Sequence, residues 1–257
     1  MSFTVNENRE QPYSDYDRFA WFYNRYWGPD FCRTVFEVYE SILFPELPSG
    51  ARILDLCCGT GQIAARLQGM GYDVTGLDGS AEMLEYARVN SGWSEFVHAD
   101  ARSFDPAGVT GGPAGFDAVL SPFDSLNHIM SVEELREVFL RVRAVLRPGG
   151  LFLFDLNIED EEEIRGSSFD IVGVDHACII RSSYDQLKRL KRYDLTTFRL
   201  EDGHYQRTDL ALYQRYHTTE TVLGVLGETG FDRVRIFDAR ADFGVARRDC
   251  RIYYLAG

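Results

Sequence analysis

Apolar and polar residues alternate in a way that predicts strands and helices in turn over residues 50–157. Five short apolar runs, each bounded by glycine, proline or polar residues, are typical of buried strands. These runs are Arg52–Leu56, Asp73–Leu77, Ser94–His98, Phe116–Ser121 and Leu151–Asp155. The clearest helix between them extends from Ser131 to Leu146, and Ser131 forms a capping-box pair with Glu134 at its start. This alternation predicts an α/β fold with a doubly wound, mostly parallel sheet.

Residues 158–215 interrupt the alternation. After an acidic run at Glu159–Glu163 they hold three β-like segments, which are Phe169–Ser182, Leu190–Leu200 and Tyr205–Tyr216. The turn Glu201-Asp202-Gly203-His204 joins the last two segments as a hairpin. Because consecutive strands joined by tight turns pair antiparallel, this stretch is predicted to be an inserted β subdomain. The core then resumes with a helix and two strands, at Thr218–Gly230, Arg233–Asp238 and Arg251–Ala256.

The first 49 residues form a separate zone, rich in aromatic side chains and predicted to be helical. Pro45 and Pro48 end it. We therefore expect three parts: an N-terminal helical segment at 1–49, an α/β core at 50–157 and 216–257, and an antiparallel β insertion at 158–215.

The first predicted strand ends in a glycine-bracketed turn, Cys57-Cys58-Gly59-Thr60-Gly61, and Asp78 closes the next strand. A strand that turns sharply into a helix leaves backbone N–H groups pointing at whatever lies above the strand end. Small residues there let a ligand approach the main chain. A carboxylate on the neighbouring strand, about 20 residues further on, can accept the hydroxyls of a ribose. The pattern predicts a nucleoside-containing cofactor.

The residues around the turn bear on which cofactor is bound. Ala64 stands three positions after Gly61, so the spacing alone leaves NAD open. Asp55 lies inside the strand, where its negative charge would repel a pyrophosphate. A carboxylate at that place suits a cationic ligand end, such as an amino-acid ammonium group.

An acidic strand residue, a Gly59-x-Gly61 turn and an acidic end of the next strand together resemble the class I methyltransferases that use S-adenosylmethionine. The resemblance covers the whole chain and is to the small-molecule type, which has an aromatic N-terminal lid and an antiparallel insertion after the fifth strand. It implies a Rossmann-like, seven-stranded sheet whose last strand is antiparallel. It also implies a substrate pocket between the lid, the loop after the fourth strand and the insertion, with S-adenosylhomocysteine as a product.

Further segments match the family in order. They are Tyr16-x-x-x-Ala20-x-x-Tyr23, Leu77-Asp78-Gly79-Ser80 with Met83, His98-Ala99-Asp100-Ala101, Asp117-Ala118-Val119-Leu120 followed by the loop Phe123–His128, and Leu146-Arg147-Pro148-Gly149-Gly150. By the resemblance, Asp55 meets the methionine end, Asp78 the ribose and Asp100 the adenine amino group. The implied cofactor-binding residues are Tyr16, Tyr23, Asp55, Gly59, Gly61, Asp78, Gly79, Met83, Asp100, Ala101, Ser121 and Phe123.

The implied reaction is in-line transfer of a methyl group to a nitrogen or oxygen of a small metabolite, and its rate comes mainly from positioning the acceptor. A hydroxyl acceptor needs a base near its proton. His128 is the first candidate because the loop after the fourth strand lies beside the methyl group in this family. Asp124 and His217 are the other candidates.

The composition limits the other classes of function. A net charge of −13 repels phosphate backbones, so a nucleic-acid partner is not expected. The sequence Ser121-Pro122-Phe123 has one proline fewer than the motif of methyltransferases that act on bases or glutamine side chains. Methylation of a protein or an RNA, a cofactor-binding module without turnover, and an NAD-dependent oxidoreductase stay as alternatives.

The N-terminal residues and the cysteines indicate the compartment. The N-terminus lacks a basic flank and an apolar core, so we expect no signal peptide, and no apolar stretch suits a membrane span. The five cysteines include no C-x-x-C pair, which fits neither a disulfide framework nor a metal site. A cytoplasmic location is predicted, and the oligomeric state stays open, with a homodimer as one alternative.

Overall fold

The computed structural model describes residues 14–92, 95–110, 115–159, 167–244 and 250–257. A seven-stranded sheet has the order β10-β11-β5-β4-β1-β2-β3. Its strands are β1 (Arg52–Leu56), β2 (Asp73–Asp78), β3 (Glu95–His98), β4 (Phe116–Ser121), β5 (Leu146–Asn157), β10 (Val234–Asp238) and β11 (Arg251–Ala256). Strands β1 to β5 pair in parallel, whereas β11 pairs antiparallel with both β10 and β5. The predicted doubly wound α/β fold with an antiparallel last strand is confirmed.

Helices flank this sheet on both faces, except the first, which packs on the inserted sheet. They are α1 (Ala20–Phe22), α2 (Gly28–Ile42), α3 (Gln62–Gly69), α4 (Ala81–Ser91), α5 (Pro106–Thr110), α6 (Val132–Val145), α7 (Thr219–Glu228) and α8 (Ala239–Phe243). Short 3-10 helices occur at Ser14–Phe19, Phe44–Glu46 and Ser125–His128, and a π-helix occurs at Tyr23–Trp27. Ser131 caps α6 by accepting a hydrogen bond from the backbone N–H of Glu134, as the capping-box pattern predicts.

Alternation along the strands sorts the buried side chains into two layers. In β1, Leu54 and Leu56 pack in the layer that contains α6 and α7, whereas Ile53 packs in the layer that contains α2 and α3. All three side chains are fully buried. Successive residues of a strand point to opposite faces, so an almost continuous apolar run is what a sheet covered on both sides requires.

Strand β5 and helix α6 differ from the predicted bounds. Helix α6 ends at Val145, and β5 begins directly at Leu146 rather than at Leu151. Leu146 pairs with Phe116, and the register with β4 shifts before Leu151. Gly149 takes a φ of +77° in this irregular stretch, a conformation that favours glycine. The proline and glycines therefore bend an early part of the strand instead of separating it from the helix.

The insertion is a four-stranded antiparallel sheet, β6-β7-β8-β9. Its strands are β6 (Ser168–Val172), β7 (His176–Asp185), β8 (Leu190–Glu201) and β9 (His204–Arg215). The single segment predicted at Phe169–Ser182 is thus a hairpin, closed where the backbone N–H of Gly173 donates to the carbonyl of His176 at 2.8 Å. The sequence analysis missed the turn because apolar residues continue on both sides of it. Ser94 and most of the acidic run at 159–163 lie outside the described residues.

The helical segment at Ser14–Trp27 packs on the insertion sheet and forms a cluster separate from the core. We call this whole segment, Ser14–Trp27, the lid. The side chains of its Phe19 and Phe22 are buried. Their apolar partners in the sheet are Cys178, Ile180, Leu195 and Leu212. The lid and the insertion therefore form one roof. No helix within the described residues is both long enough and apolar enough to cross a membrane.

Candidate functional site

A cavity of about 230 Å³ lies where the roof meets the carboxyl ends of the parallel strands. This is the place where open α/β sheets bind ligands. Nine of the predicted site residues line it, and these are Tyr16, Tyr23, Gly59, Asp78, Gly79, Met83, Ala101, Phe123 and His128. Asp55, Gly61, Asp100 and Ser121 are absent from its lining.

The turn after β1 is shaped by left-handed residues. Cys57, Gly59 and Gly61 have φ angles of 61°, 53° and 78°. A Cβ on Gly61 would come within 2.8 Å of the Cα and Cβ of Ala87 in α4, so this glycine allows α3 and α4 to pack closely. Gly59 faces the cavity instead, and its backbone N–H donates to Asp78 Oδ2 at 2.8 Å.

Asp78 ties the turn to the end of β2. Its Oδ2 accepts from Gly59, and its Oδ1 accepts from the backbone N–H of Ser80 at 2.8 Å. Burial raises the pKa of Asp78, and these two hydrogen bonds oppose that rise by stabilising the carboxylate. Because an ionised carboxylate has about four acceptor sites, one lone pair on each oxygen remains for ligand hydroxyls.

Asp55 is fully buried, and neither of its oxygens has a hydrogen-bond partner among the described residues. It lines a small pocket together with Tyr23, Gly28 and Gln62. Burial and, secondarily, the negative charge of Asp78 raise the pKa of Asp55 to about 8, and the nearby backbone N–H of Ala64 opposes that rise to a smaller extent. A buried carboxylate without a partner is unfavourable, and a cationic ligand group would relieve it. The Asp55 carboxylate, as an unpartnered acceptor, thus fits the ammonium end of S-adenosylmethionine.

The end of β3 contributes less of its polar surface to the cavity than the family pattern implies. Ala101 lines the cavity, as does Met83, which is 2% exposed. Asp100 is held by Arg102, whose Nη2 donates to Asp100 Oδ2 at 2.6 Å. Burial opposes ionisation of Asp100, but the hydrogen bonds and charge of Arg102 lower its pKa overall. Arg102 also pairs with Glu134, so Asp100 belongs to an ion-pair network beside the cavity.

The loop after β4 is held in a strained shape by residues that the sequence analysis missed. Phe123 and Asp124 both have left-handed φ angles, 61° and 49°, which are costly without glycine. Asp155, at the end of β5, accepts both of their backbone N–H groups at 2.9 Å. Arg251 of β11 donates to Asp155 and, at 2.8 Å, to Asp124 Oδ1. Ser121, just before the loop, is fully buried.

Burial raises the pKa of Asp155, and Arg251 opposes that rise. The two side chains are 1% and 6% exposed. In the sequence, the signal for this pair is an acidic residue late in β5, Asp155, and a basic residue at the start of β11, Arg251. Their contact depends on β5 and β11 being neighbours in the sheet, which the sequence analysis did not predict.

His128 lies in the cavity wall as an uncharged ring. Burial lowers its pKa to about 4. Tyr16 Oη lies 2.9 Å from His128 Nε2, and the amide nitrogen of Gln214 lies 3.4 Å from the same atom. Burial raises the pKa of Tyr16 well above its usual value, so the phenol keeps its proton and can donate it to the imidazole. Nε2 is therefore a hydrogen-bond acceptor at the cavity surface.

The other candidate bases have different surroundings. Asp124 lines the cavity and is engaged by Arg251 and by the amide of Gln214. His217 is buried, and its Nε2 lies 2.9 Å from the carbonyl of Ile129, which is a structural contact. His217 is absent from the cavity lining.

The lid is fastened to the core beside the cavity. Ser80 Oγ donates to Asp17 Oδ1 at 2.5 Å, and the backbone N–H of Glu82 lies 3.3 Å from the same oxygen. The ring of Tyr23 lies about 3.5 Å from where a Cβ on Gly59 would stand, so it packs over the glycine turn. These contacts place Tyr16 and Tyr23 between the β1 turn and the insertion.

Comparisons with known proteins agree with this geometry. A family described as "Methyltransferase domain" matches residues 53–150. "Putative methyltransferase YqeM" of Bacillus subtilis (strain 168) is 33% identical over 217 residues, which cover 82% of this chain and 85% of that protein.

Two solved structures share the fold. A S-adenosylmethionine-dependent methyltransferase from Clostridium acetobutylicum ATCC 824 superimposes with a TM-score of 0.70 at 21% identity, over 94% of this chain and 98% of its own. The sugar N-methyltransferase KedS8 from Streptoalloteichus sp ATCC 53650 gives a TM-score of 0.72 at 17% identity, over 100% of this chain and 96% of its own. Family match, relative and fold lead to one conclusion: the chain belongs to the class I S-adenosylmethionine-dependent methyltransferases.

Proposed function

We propose that this enzyme transfers a methyl group from S-adenosylmethionine to a nitrogen or oxygen of a small metabolite. The observation that carries the proposal is the cavity of about 230 Å³ under the roof, which joins the cofactor motifs to the insertion. A space of this kind, with a few polar groups in an aromatic wall, suits a small molecule.

The cofactor contacts follow from the polar groups in and beside the cavity. Asp55 would hold the methionine ammonium, because it is buried without a partner among the described residues. Asp78 would accept the ribose hydroxyls with its remaining lone pairs, beside Gly59 and Gly79. Met83 and Ala101 would contact the adenine, with Asp100 near its amino group as the family pattern implies. Gly61 and Ser121 would act through the shape of the wall behind the cavity.

The lid and the loop after β4 would close the site around the methyl group. Tyr16, Tyr23 and Phe123 present aromatic surface to the cavity, which suits a sulfonium through cation–π attraction and excludes water. In this proposal the N-terminal helical part at 1–49 carries the lid, residues 50–157 and 216–257 form the cofactor-binding core, and residues 158–215 form the insertion on the substrate side.

The bound cofactor supplies an electrophilic methyl group, and the chain supplies position and proton acceptance. Holding the acceptor atom in line with the methyl group provides most of the rate. His128 is uncharged at neutral pH because of burial, so its Nε2 can take the proton of a hydroxyl acceptor that replaces Tyr16 as the hydrogen-bond donor to that lone pair. An amine that arrives uncharged needs no base before transfer.

The surroundings of the reaction are also proposed. All five cysteines are free, which fits a reducing cytoplasm. The net charge of −13 disfavours a nucleic-acid acceptor.

The test is transfer of labelled methyl from S-adenosylmethionine into a cell extract that is then separated by size. Label in the small-molecule fraction is the expected result, and mass spectrometry would then identify the acceptor. Label confined to protein or RNA would replace the proposal with a macromolecular methyltransferase. Binding of S-adenosylhomocysteine without any transfer would favour a binding module, and binding of NADH instead would overturn the cofactor. Asp55→Asn, treated identically, controls for label carried by contaminating enzymes.

A further inference from the structure

The cavity lining differs in polarity between its two sides. The side formed by the core carries the polar groups of the turn after β1 and the end of β2, among them Asp78 and Gly59. The side formed by the insertion is mostly hydrocarbon. Its lining residues are Phe169, Ile180, Tyr193, Leu195, Leu212 and Gln214. Because the core side is occupied by cofactor in the proposed function, the insertion side must receive the acceptor.

The strand register makes the apolar side chains one continuous surface. Ile180 of β7 pairs with Leu195 of β8, and Tyr193 of β8 pairs with Leu212 of β9. Paired residues on neighbouring strands lie on the same face with their Cβ atoms close together. Ile180, Leu195 and Leu212 are each less than a tenth exposed, because they pack in one cluster with Phe19 and Phe22 of the lid, and they also line the cavity. We call these three side chains with Tyr193 the apolar wall.

On β8, the residues next to Tyr193 and Leu195 face the other way and are polar. Arg192 pairs with Asp194 at 2.5 Å, and Thr196 donates to Asp209 at 2.7 Å. This alternation places Tyr193 and Leu195 on the inner face of β8 and Arg192 and Asp194 on its outer face.

Polar groups occur at one corner of the insertion side, and they are engaged within the protein. Tyr193 donates to Gln214 Oε1 at 3.3 Å, and the amide of Gln214 donates to Asp124. His128 lies beside Gln214 and accepts a hydrogen bond from the hydroxyl of Tyr16. The corner can orient one polar group of a ligand, but it lacks the many donors and acceptors that a polyhydroxylated ligand requires.

The charges of the lining also restrict the ligand. Within the described residues, no lysine or arginine lines the cavity, and its charged residues are the carboxylates Asp78 and Asp124. Arg251 pairs with Asp124 from behind the wall. Lys191 is buried beside Tyr193 and pairs in register with Gln214, but it is absent from the lining. An anionic ligand would therefore leave water without a direct counter-charge from the side chains that line the cavity, which is unfavourable in a buried site.

We propose, resting on the function above, that the acceptor has an apolar body seated on the wall of Ile180, Tyr193, Leu195 and Leu212, with one reactive nitrogen or oxygen at the His128–Gln214 corner. A sugar, a phosphate ester or a carboxylate of the same size does not fit this surface. The acceptor class thereby differs from the sugar that names the similarly folded KedS8.

The test uses three six-membered-ring probes, titrated onto the protein with and without saturating S-adenosylhomocysteine and followed by saturation-transfer NMR. Cyclohexylamine shares a ring and an amine with glucosamine but lacks its hydroxyls, and cyclohexanecarboxylate tests the charge. We expect cyclohexylamine to bind about tenfold or more tightly than either of the others, although glucosamine has more atoms to contribute. Equal or tighter binding of glucosamine or of the carboxylate would overturn the proposal, as would no binding of any probe.

Variants connect the binding to the wall. Leu195→Thr should lower the affinity for cyclohexylamine several-fold. Leu195→Met keeps an apolar side chain of similar volume, so its affinity for cyclohexylamine should be close to that of the parent protein. Val174→Thr, at a 98% exposed position, is the matched control for the loss of apolar surface. Unchanged probe binding in a folded Leu195→Thr protein would contradict the wall assignment. If S-adenosylhomocysteine alone fails to bind, the proposed function fails, and titration of the free protein still decides the polarity of the wall.

Discussion

Replacing Asp55 with asparagine separates a cofactor ligand from a structural carboxylate. Asp55 is fully buried with no hydrogen-bond partner in the described parts of the chain, and its pKa is raised to about 8. A group with these properties should weaken the folded protein and strengthen cofactor binding. Asp55→Asn is therefore expected to lower affinity for S-adenosylhomocysteine while raising thermal stability near neutral pH.

The stability change follows from the two pKa values of Asp55. Its folded-state pKa of about 8 lies above the value of about 3.9 expected in the unfolded chain. Asp55 thus does not reduce the free energy of unfolding below pH 4. As the pH rises from 4 towards 8, its raised folded-state pKa lowers the free energy of unfolding by about 1.4 kcal/mol for each pH unit. At pH 7 the loss is on the order of 4 kcal/mol. Asparagine removes this loss but buries an amide that itself costs about 1–3 kcal/mol, so a net gain of about 1–3 kcal/mol remains.

The binding change comes from the lost charged hydrogen bond, which contributes about 1.5–3 kcal/mol. Between pH 6 and 7.5 the parent protein must release a proton from Asp55 to bind an ammonium group, so its affinity should rise with pH. Calorimetry in two buffers of different ionisation enthalpy would measure that proton. Thermal denaturation at pH 5 and pH 7.5 would measure the stability change, with exposed Asp232→Asn as the matched control. Equal affinity and an equal pH dependence in Asp55→Asn and parent would refute the reasoning.

Other variants test separate parts of the site. Asp78→Ala should weaken S-adenosylhomocysteine binding by about 1–3 kcal/mol, because a charged hydrogen-bond pair is lost, and unchanged affinity in calorimetry would remove the ribose assignment. Arg251→Met should lower the free energy of unfolding by about 3–5 kcal/mol, since it leaves Asp155 buried without its guanidinium. Because burial raises the pKa of Asp155, that deficit should be smaller at pH 5 than at pH 8 in urea denaturation, and a pH-independent deficit would contradict it. Gly61→Ala should destabilise more than Gly92→Ala, because both glycines have positive φ but only Gly61 has backbone within 2.8 Å of the added Cβ. Equal thermal shifts of these two variants would show that strain in φ, rather than helix packing, decides the cost.

Local patterns were enough to predict most of the core. The apolar runs at β1, β2 and β4 are continuous because both faces of a parallel sheet are covered, and their bounds agree with the structure to within a residue. The capping pair Ser131–Glu134 also predicted the start of α6, because the interaction involves only four consecutive residues.

What the sequence did not predict depends on contacts between distant segments. Arg251 reaches Asp155 because β11 pairs with β5, and Gln214 reaches Asp124 because the insertion folds over the loop after β4. No spacing along the chain encodes either neighbour. The left-handed φ at Phe123 was equally hidden, since strain at a non-glycine residue is maintained by its surroundings, here the two hydrogen bonds to Asp155.

The most direct test of the central claim is a crystal structure of the protein with S-adenosylhomocysteine. We expect the ligand ammonium within hydrogen-bond distance of Asp55, the ribose hydroxyls on Asp78, and the sulfur directed at the space between His128 and the apolar wall. An ammonium bound away from Asp55, or a sulfur directed into the core and away from the insertion, would contradict the proposed cofactor and acceptor sites together.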